Sequence, residues 1–260
     1  MADTRLSIAR DRDILIATLV PGGSVSAFSH ALLADIERFC GEVEIDHSIK
    51  GALITGSGRT FSIGSDIGQI QTGLADPPAF RAYLDAFNHA MDRLEALPVP
   101  SVAAVNGMTR AGGLELVLAC DLAVIAEGVP IGDVHSAQFA IPAGGSTQRL
   151  PRRVGLPRAK ELIWSGRFLS ATEAVEWGLC YAAVPPERLM DEARRLLATF
   201  TDKPRPCLSE IKQLVARSET MSQSDGIELE IQAFLNYVTG QPYVREGIAA
   251  FTAQRAAAGR

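Results

Sequence analysis

Cysteine is scarce in this chain: the 260 residues contain four, Cys40, Cys120, Cys180 and Cys207, all far apart. No pair has CxxC spacing, which excludes the common thiolate metal centre and the dithiol redox motif and predicts free thiols in a reducing compartment. Histidine is equally sparse, and His30, His47 and His89 match no metal-ligand spacing, so they are expected to pack or to face solvent and no metal is expected. Basic runs are missing as well. The 25 Lys and Arg stand against 30 Asp and Glu for a net charge of -5, leaving nothing to neutralise phosphates in a nucleic-acid groove; nucleic acid is not an expected partner. Long apolar runs are also absent. The longest uncharged stretch, Ile14 to Ala34, is broken by Pro21-Gly22-Gly23 and would not form a bilayer helix, and MADTRLSIARDRD lacks the apolar core of a signal peptide. The expectation is a cytoplasmic protein with no membrane association.

What is present is apolar material for a large core. The chain is 47% hydrophobic, and its length fits one large α/β domain or a core domain with a short appendage. LSIAR and ILIATLV, separated by Asp11-Arg12-Asp13, predict an antiparallel hairpin. SAFSHALLADIERFCGEVE follows with Phe28, Leu32, Leu33, Ile36, Phe39 and Cys40 at helical spacing. Short β-like runs then alternate with helical ones: KGALITG, a Gly-rich loop, a helix through FRAYLDAFNHAMDRLEAL, PSVAAVNG, a helix from Gly112 to about Cys120, and DLAVIAE. That alternation predicts a sheet with parallel segments. From Pro157 onward helices dominate, each punctuated by Pro, Ser, Asp or Gly. Val244, Ile248 and Phe251 share a stripe on the last one, which must pack on its own domain or on a neighbouring subunit. Trp164 and Trp177 are expected in the core or at an interface.

Two glycine turns are the candidates for chemistry. GSGRTFSIGSDI, residues 56 to 67, follows the strand-like ALIT. As a dinucleotide loop it lacks the third glycine, and no GK[ST] makes it a phosphate loop; its alternative is a surface turn. VNGMTRAGGLELVLACD, residues 105 to 121, ends a strand at Asn106-Gly107 and begins a helix at Gly112-Gly113. The first N–H groups of a helix have no intrahelical acceptor, and together with the positive end of the dipole they suit a developing negative oxygen. Glu115, three residues on, projects from nearly the same face. It is either an acid/base group beside an anion hole or a solvated glutamate favoured by the helix start.

Taken together these stretches resemble the enoyl-CoA hydratase/isomerase superfamily, the crotonases, over most of the chain. GSGRTFSIGSDI resembles the family's first oxyanion loop, which implies an N–H from Ser65 after Gly64. PSVAAVNGMTRAGGLELVLACDLAV resembles the second, which implies the other N–H from Gly112. PAGGSTQRLPRRVGLPRAKELIWSGRFLSATEAVEWGLCYAAVP and EGIAAFTAQR resemble the later segment and the tail. The resemblance implies an α/β fold: a crotonase-like spiral of ββα units over residues 1–200 with a helical C-terminal trimerisation region over 201–260. It also implies a homotrimer or dimer of trimers, and an acyl-CoA thioester substrate with no cofactor beyond the coenzyme A that belongs to it. Ile63, Gly64, Asp66, Ile67 and Gly113 are the expected substrate-binding positions. Thioester chemistry at the α or β carbon passes through an enolate-like oxyanion, which two aimed main-chain N–H groups stabilise; one such donor is worth on the order of 3 kcal/mol.

The sequence departs from the family at one telling place. Its hydratases use a second glutamate twenty residues after the first, in a stretch like FGxPE, and here IGDVH stands there. The position falls on His135, expected to face Glu115 across the thioester site. An imidazole titrates near about 6.5 and gives or takes a proton at working pH, so His135 either replaces the glutamate in catalysis or fills the wall. Asp133 shares a face with it if the segment is extended; otherwise it is a turn aspartate bonding its own backbone. Arg110 replaces a small residue and Ser26 an asparagine. Asp66 and Asp121 match acidic family positions with a capping or bracing character. Hydration or dehydration is the leading activity; isomerisation, C–C hydrolysis, thioester hydrolysis or a non-catalytic CoA-binding role on the same scaffold are the alternatives.

Overall fold

The structure is a computed structural model that describes residues 3–258; the Ile67 side chain, expected to line the ligand site, lies outside the described residues. The expected hairpin is present, with β1 (Arg5–Asp11) and β2 (Ile14–Val20) pairing antiparallel around Arg12. From there the ladders between strands of the described residues are parallel, and an isolated antiparallel bridge joins Ile131 to Leu169. β3 (Gly51–Gly56), β5 (Ser101–Val105), β7 (Leu122–Ala126) and β9 (Ala182–Val184) extend one six-stranded sheet in the order β1-β2-β3-β5-β7-β9. The short strands between them, β4 (Thr60–Ser62), β6 (Met108–Arg110) and β8 (Ile131–Gly132), form a second, three-stranded sheet. The chain thus deposits one strand in each sheet and then turns into helix, the ββα spiral that the resemblance implies.

A parallel sheet must be covered on both faces, which is why its strands read as continuous apolar runs. In the large sheet Ala52, Ile54, Ala103, Val105, Ala123 and Ile125 face the main core, which also contains residues of α1 (His30–Ile45), α3 (Pro77–Glu95) and α4 (Gly112–Ala119). Leu53, Val102, Ala104 and Val124 face the other way, onto Leu189, Ala193, Leu196 and Leu197 of α8 (Leu189–Thr201). Two helices escape the sequence reading: α2 (Ile67–Ala75), inside the glycine-rich loop region, and α5 (Ser146–Val154). The strands of the small sheet escape it too, because two or three residues cannot display a period. Phe28 is a correction. It lies before α1, whose N-cap is Ser29, and forms an isolated parallel bridge with Ser65. The helices α6 (Leu156–Ser165) and α7 (Ala171–Glu176) follow α5, and Trp164 on α6 is 73% exposed rather than in the core.

The first compact unit ends at Arg205, and Pro206–Arg260 forms a second. The second contains α9 (Arg205–Arg217) from its second residue, α10 (Gln223–Gly240) and α11 (Pro242–Ala258). It is helical, and much of its apolar surface is bare: Ile227, Ile231, Phe234 and Leu235 on α10, and Ile248 and Phe251 of the expected α11 stripe, are exposed. Among the described residues no helix is long and apolar enough to cross a membrane.

Candidate active site

Backbone geometry brings the two glycine turns together. Phe28 donates its N–H to the Gly64 carbonyl at 2.8 Å and accepts from the Asp66 N–H at 2.9 Å. A parallel bridge of this kind uses the groups on either side of Ser65, so the Ser65 N–H points away from Phe28. Gly112 is the first residue of α4, where no intrahelical acceptor exists. Among the described residues neither N–H donates a hydrogen bond. The turns touch at their glycines: a Cβ on Gly64, at φ +97°, would sit 3.0 Å from the Gly112 nitrogen, and one on Gly112 would sit 3.1 Å from the Gly64 Cα. Both contacts are tighter than a Cβ ordinarily makes, so a side chain at either position would push the turns apart. The residue between turn and helix carries the strain, because Ala111 is the N-cap of α4 at φ 49°, ψ −122°, a region that favours glycine.

Every residue of α4 is buried, and Glu115 is the single charge among them. It is only 3% exposed, which removes the solvated-glutamate alternative. A buried carboxylate needs partners. Oε1 accepts from the N–H groups of Gly144 at 2.9 Å and Ser146 at 3.1 Å. Ser146 opens α5, whose N-cap Gly145 contributes no side-chain bond, so Glu115 supplies the acceptor that this helix start lacks. Gly144 must be glycine to permit it, since a Cβ there would sit 2.3 Å from Oε2. Oε2 itself accepts no hydrogen bond among the described residues. Burial raises the Glu115 pKa above the usual carboxylate range, against the N–H of Ser146, the His135 charge and the N–H of Gly144. A glutamate so placed exchanges protons more readily near neutrality than a solvated one.

His135 follows β8 and precedes a short 3-10 turn, Ser136–Gln138. Its ring lies beside Asp133, with Nδ1 2.9 Å from Oδ1, and its side chain is 17% exposed. The extended segment that would align residues two apart is not formed. Val134 sits at φ 55° instead, and this kink brings the two side chains together. Burial opposes the charged imidazole, but the hydrogen bond and charge of Asp133 and the charge of Glu115 outweigh it, and the His135 pKa is raised.

The other expected positions divide. Ile63 is half-buried and donates its N–H to the Ser26 carbonyl at 2.9 Å. Gly113 is a packing position, because a Cβ would sit 2.2 Å from the Ser62 carbonyl oxygen. Asp66 caps α2, accepting from the Gly68 N–H at 2.8 Å, and Asp121 braces β5 by accepting from Ser101 N–H and Oγ at 2.7 and 2.9 Å. The Arg110 Nε is buried and has no hydrogen-bond partner among the described residues. Sequence reasoning missed Gly144, Ser146 and Tyr83. Tyr83 donates to Ser65 Oγ at 3.0 Å, and burial pushes its pKa up to about 12. Periodicity places Tyr83 in a helix, but nothing in a helical pattern says which residue meets which turn.

The family profile of enoyl-CoA hydratase/isomerase matches residues 13–258. The chain belongs to the enoyl-CoA hydratase/isomerase family. It is 31% identical over 247 residues to the 1,2-epoxyphenylacetyl-CoA isomerase of Escherichia coli (strain K12), covering 94% of each chain. Among solved structures it resembles an enoyl-CoA hydratase from Bacillus anthracis, with a TM-score of 0.89, 29% identity and 96% of each chain covered. A second resemblance is to an enoyl-CoA hydratase from Polaromonas sp. JS666, with a TM-score of 0.90, 25% identity and 96% and 97% coverage. These likenesses make the crotonase fold and an enoyl-CoA hydratase/isomerase type of enzyme secure for this family member.

Proposed function

We propose that this protein hydrates an enoyl-CoA, or dehydrates the corresponding 3-hydroxyacyl-CoA, with the thioester oxygen received by the N–H groups of Ser65 and Gly112. The observation that carries this reading is the contact between the Gly64 and Gly112 turns, with neither the Ser65 nor the Gly112 N–H donating a hydrogen bond among the described residues, beside a buried glutamate. In the hydration direction Glu115 takes a proton from water and the water oxygen bonds to the β carbon. The alkene electrons move through the α carbon onto the thioester oxygen, and the enolate collapses by taking a proton at the α carbon from protonated His135. No redox step is required. The two main-chain donors stabilise the enolate oxygen, each worth on the order of 3 kcal/mol.

Isomerisation is the second reading, favoured by one observation: the site has a single buried carboxylate on α4 and no second glutamate where the resemblance expects it. Moving a double bond needs one base that takes a proton and returns it elsewhere, and Glu115 alone suffices. Assay of the purified protein against a panel of enoyl-, 3-hydroxyacyl- and 3-oxoacyl-CoAs separates the readings, because hydration adds the mass of one water and isomerisation none. No turnover of any member, with Glu115→Gln equal to wild type, rejects both. The bare apolar surface of α10 and α11 supports a homotrimer or dimer of trimers, which light scattering of the eluted protein tests.

A further inference from the structure

Asp133 is 0% exposed, and its position is costly to build. Val134 beside it takes φ 55°, a conformation that is a genuine outlier for a β-branched residue. The kink sets Oδ1 2.9 Å from the His135 ring Nδ1, while the His135 main-chain N–H donates to the same oxygen at 3.4 Å. Oδ2 is buried and has no hydrogen-bond partner among the described residues. The Asp133 carbonyl accepts the Ala111 N–H at 3.1 Å, so the residue next to the Gly112 turn is tied to the segment that presents the histidine. A carboxylate oxygen accepts and does not donate, so Nδ1 carries the proton and Nε2 is left as the ring nitrogen able to exchange one. Among the described residues Nε2 has no hydrogen-bond partner.

We propose that Asp133 is a positioning residue for His135: it fixes the Nδ1–H tautomer, presents Nε2 as the proton-exchanging nitrogen, and holds the imidazolium with a buried negative charge. This rests on the acid/base role given to His135 above; Nε2–H delivers the proton to the α carbon of the enolate, and at the end of the cycle the protonated Glu115 releases its proton to solvent while the neutral ring takes one back. The groups facing the ring are Asp133 from its own segment and Glu115 from α4. Arg110 lies on β6 opposite Gly132, and α6 contributes the Ile163 and Trp164 carbonyls to Ser136.

Asp133→Asn tests this, since its amide oxygen can still accept both N–H groups and keep the turn while the charge is gone. Four histidines make the imidazole NMR spectrum readable, and His135→Asn identifies the resonance to follow. The expected result is a lower titration midpoint for His135, the same downward move in the kcat/KM profile, and a fall in kcat on the order of tenfold or more with a smaller change in KM. A merely structural aspartate predicts no such move: an unchanged midpoint with kcat within about twofold would overturn the proposal. In wild type, nitrogen-15 labelled histidine should report the Nδ1–H tautomer of neutral His135; the Nε2–H tautomer would overturn it even if the variant failed to fold. These spectra need no turnover. A protein inactive on every acyl-CoA would therefore sink the function and leave the dyad to be judged by resonance, whereas active protein with an unperturbed histidine would sink only the dyad.

Discussion

The two walls of the candidate site are built on opposite plans. The α4 wall works by subtraction: glycines at 64, 112 and 144 remove side chains so that main-chain donors and one glutamate come close. The β8 wall works by addition, placing two ionisable side chains within one kinked tripeptide, with Val134 strained between them. The first plan leaves a spacing pattern that the family shares. The second puts an imidazole where the resemblance expects a carboxylate. A carboxylate opposite Glu115 would repel it, whereas His135 and Glu115 each favour the other's charged form. The pair therefore suits a division of labour in which one group takes a proton and the other gives one.

Removing the charge on the α4 wall should have the largest effect. Glu115→Gln is expected to lower kcat by about 10²- to 10⁴-fold, while its amide oxygen continues to accept the Gly144 and Ser146 N–H groups and preserves the fold. Stability should move the other way. The folded pKa of Glu115 is raised, so wild type loses stability as pH climbs from the unfolded value through the folded one, and the glutamine does not. Thermal melts should coincide in acid and favour the variant near neutrality. Melts that favour wild type at neutral pH would contradict the raised value.

Gly112→Ala comes next. Its Cβ would meet Gly64 Cα at 3.1 Å and the Phe87 ring at 3.3 Å, spreading the turns and displacing an N–H from the thioester oxygen. Loss of one oxyanion donor lowers kcat by about 10²- to 10³-fold, and circular dichroism should show the fold retained. A variant with full activity would mean that the oxygen binds elsewhere.

On the β8 wall, His135→Asn should cost less, about 10- to 100-fold in kcat, because one proton transfer is left to water. Its sharper signature is in pH. If protonated His135 is the acid, wild-type kcat/KM falls as pH rises through the raised His135 value, and that limb should vanish in the variant. Persistence of the limb would assign it to another group and leave His135 as wall.

How much of this was legible follows the same division. The α4 wall was the more legible because glycine spacing and a helix start are signals within the sequence; Gly64 and Gly112 lie in contact, and Glu115 lies one turn along α4. Counting along the chain also located His135. What stayed hidden was how the second wall is made. An extended segment would have aligned Asp133 with His135, but β8 ends at Gly132 and the chain kinks at Val134, and no propensity predicts a valine there. The donors that complete the site, Ser146 for Glu115 and Tyr83 for Ser65, come from residues 31 and 18 positions away. Such long-range pairings are set by how helices pack on the two sheets, and helix α2 with the small-sheet strands was too short or too irregular to read.

The smallest expected effect lies where the walls meet. Ala111 is the N-cap of α4 at φ 49°, ψ −122°, and its N–H bridges to the carbonyls of Gly132 and Asp133, both at 3.1 Å. The bridge is made by main chain, so Ala111→Gly keeps it while releasing the Cβ from a conformation that costs an alanine about 1–3 kcal/mol. Glycine's greater unfolded-state entropy offsets about 0.4–1 kcal/mol of that gain. The net expectation is a melting temperature higher by about 2–4 °C, the response of a chain this size to about 1 kcal/mol, with kcat essentially unchanged. A lower melting temperature would mean the alanine is not strained, and a lower kcat would mean that its stiffness helps hold the Gly112 N–H in line.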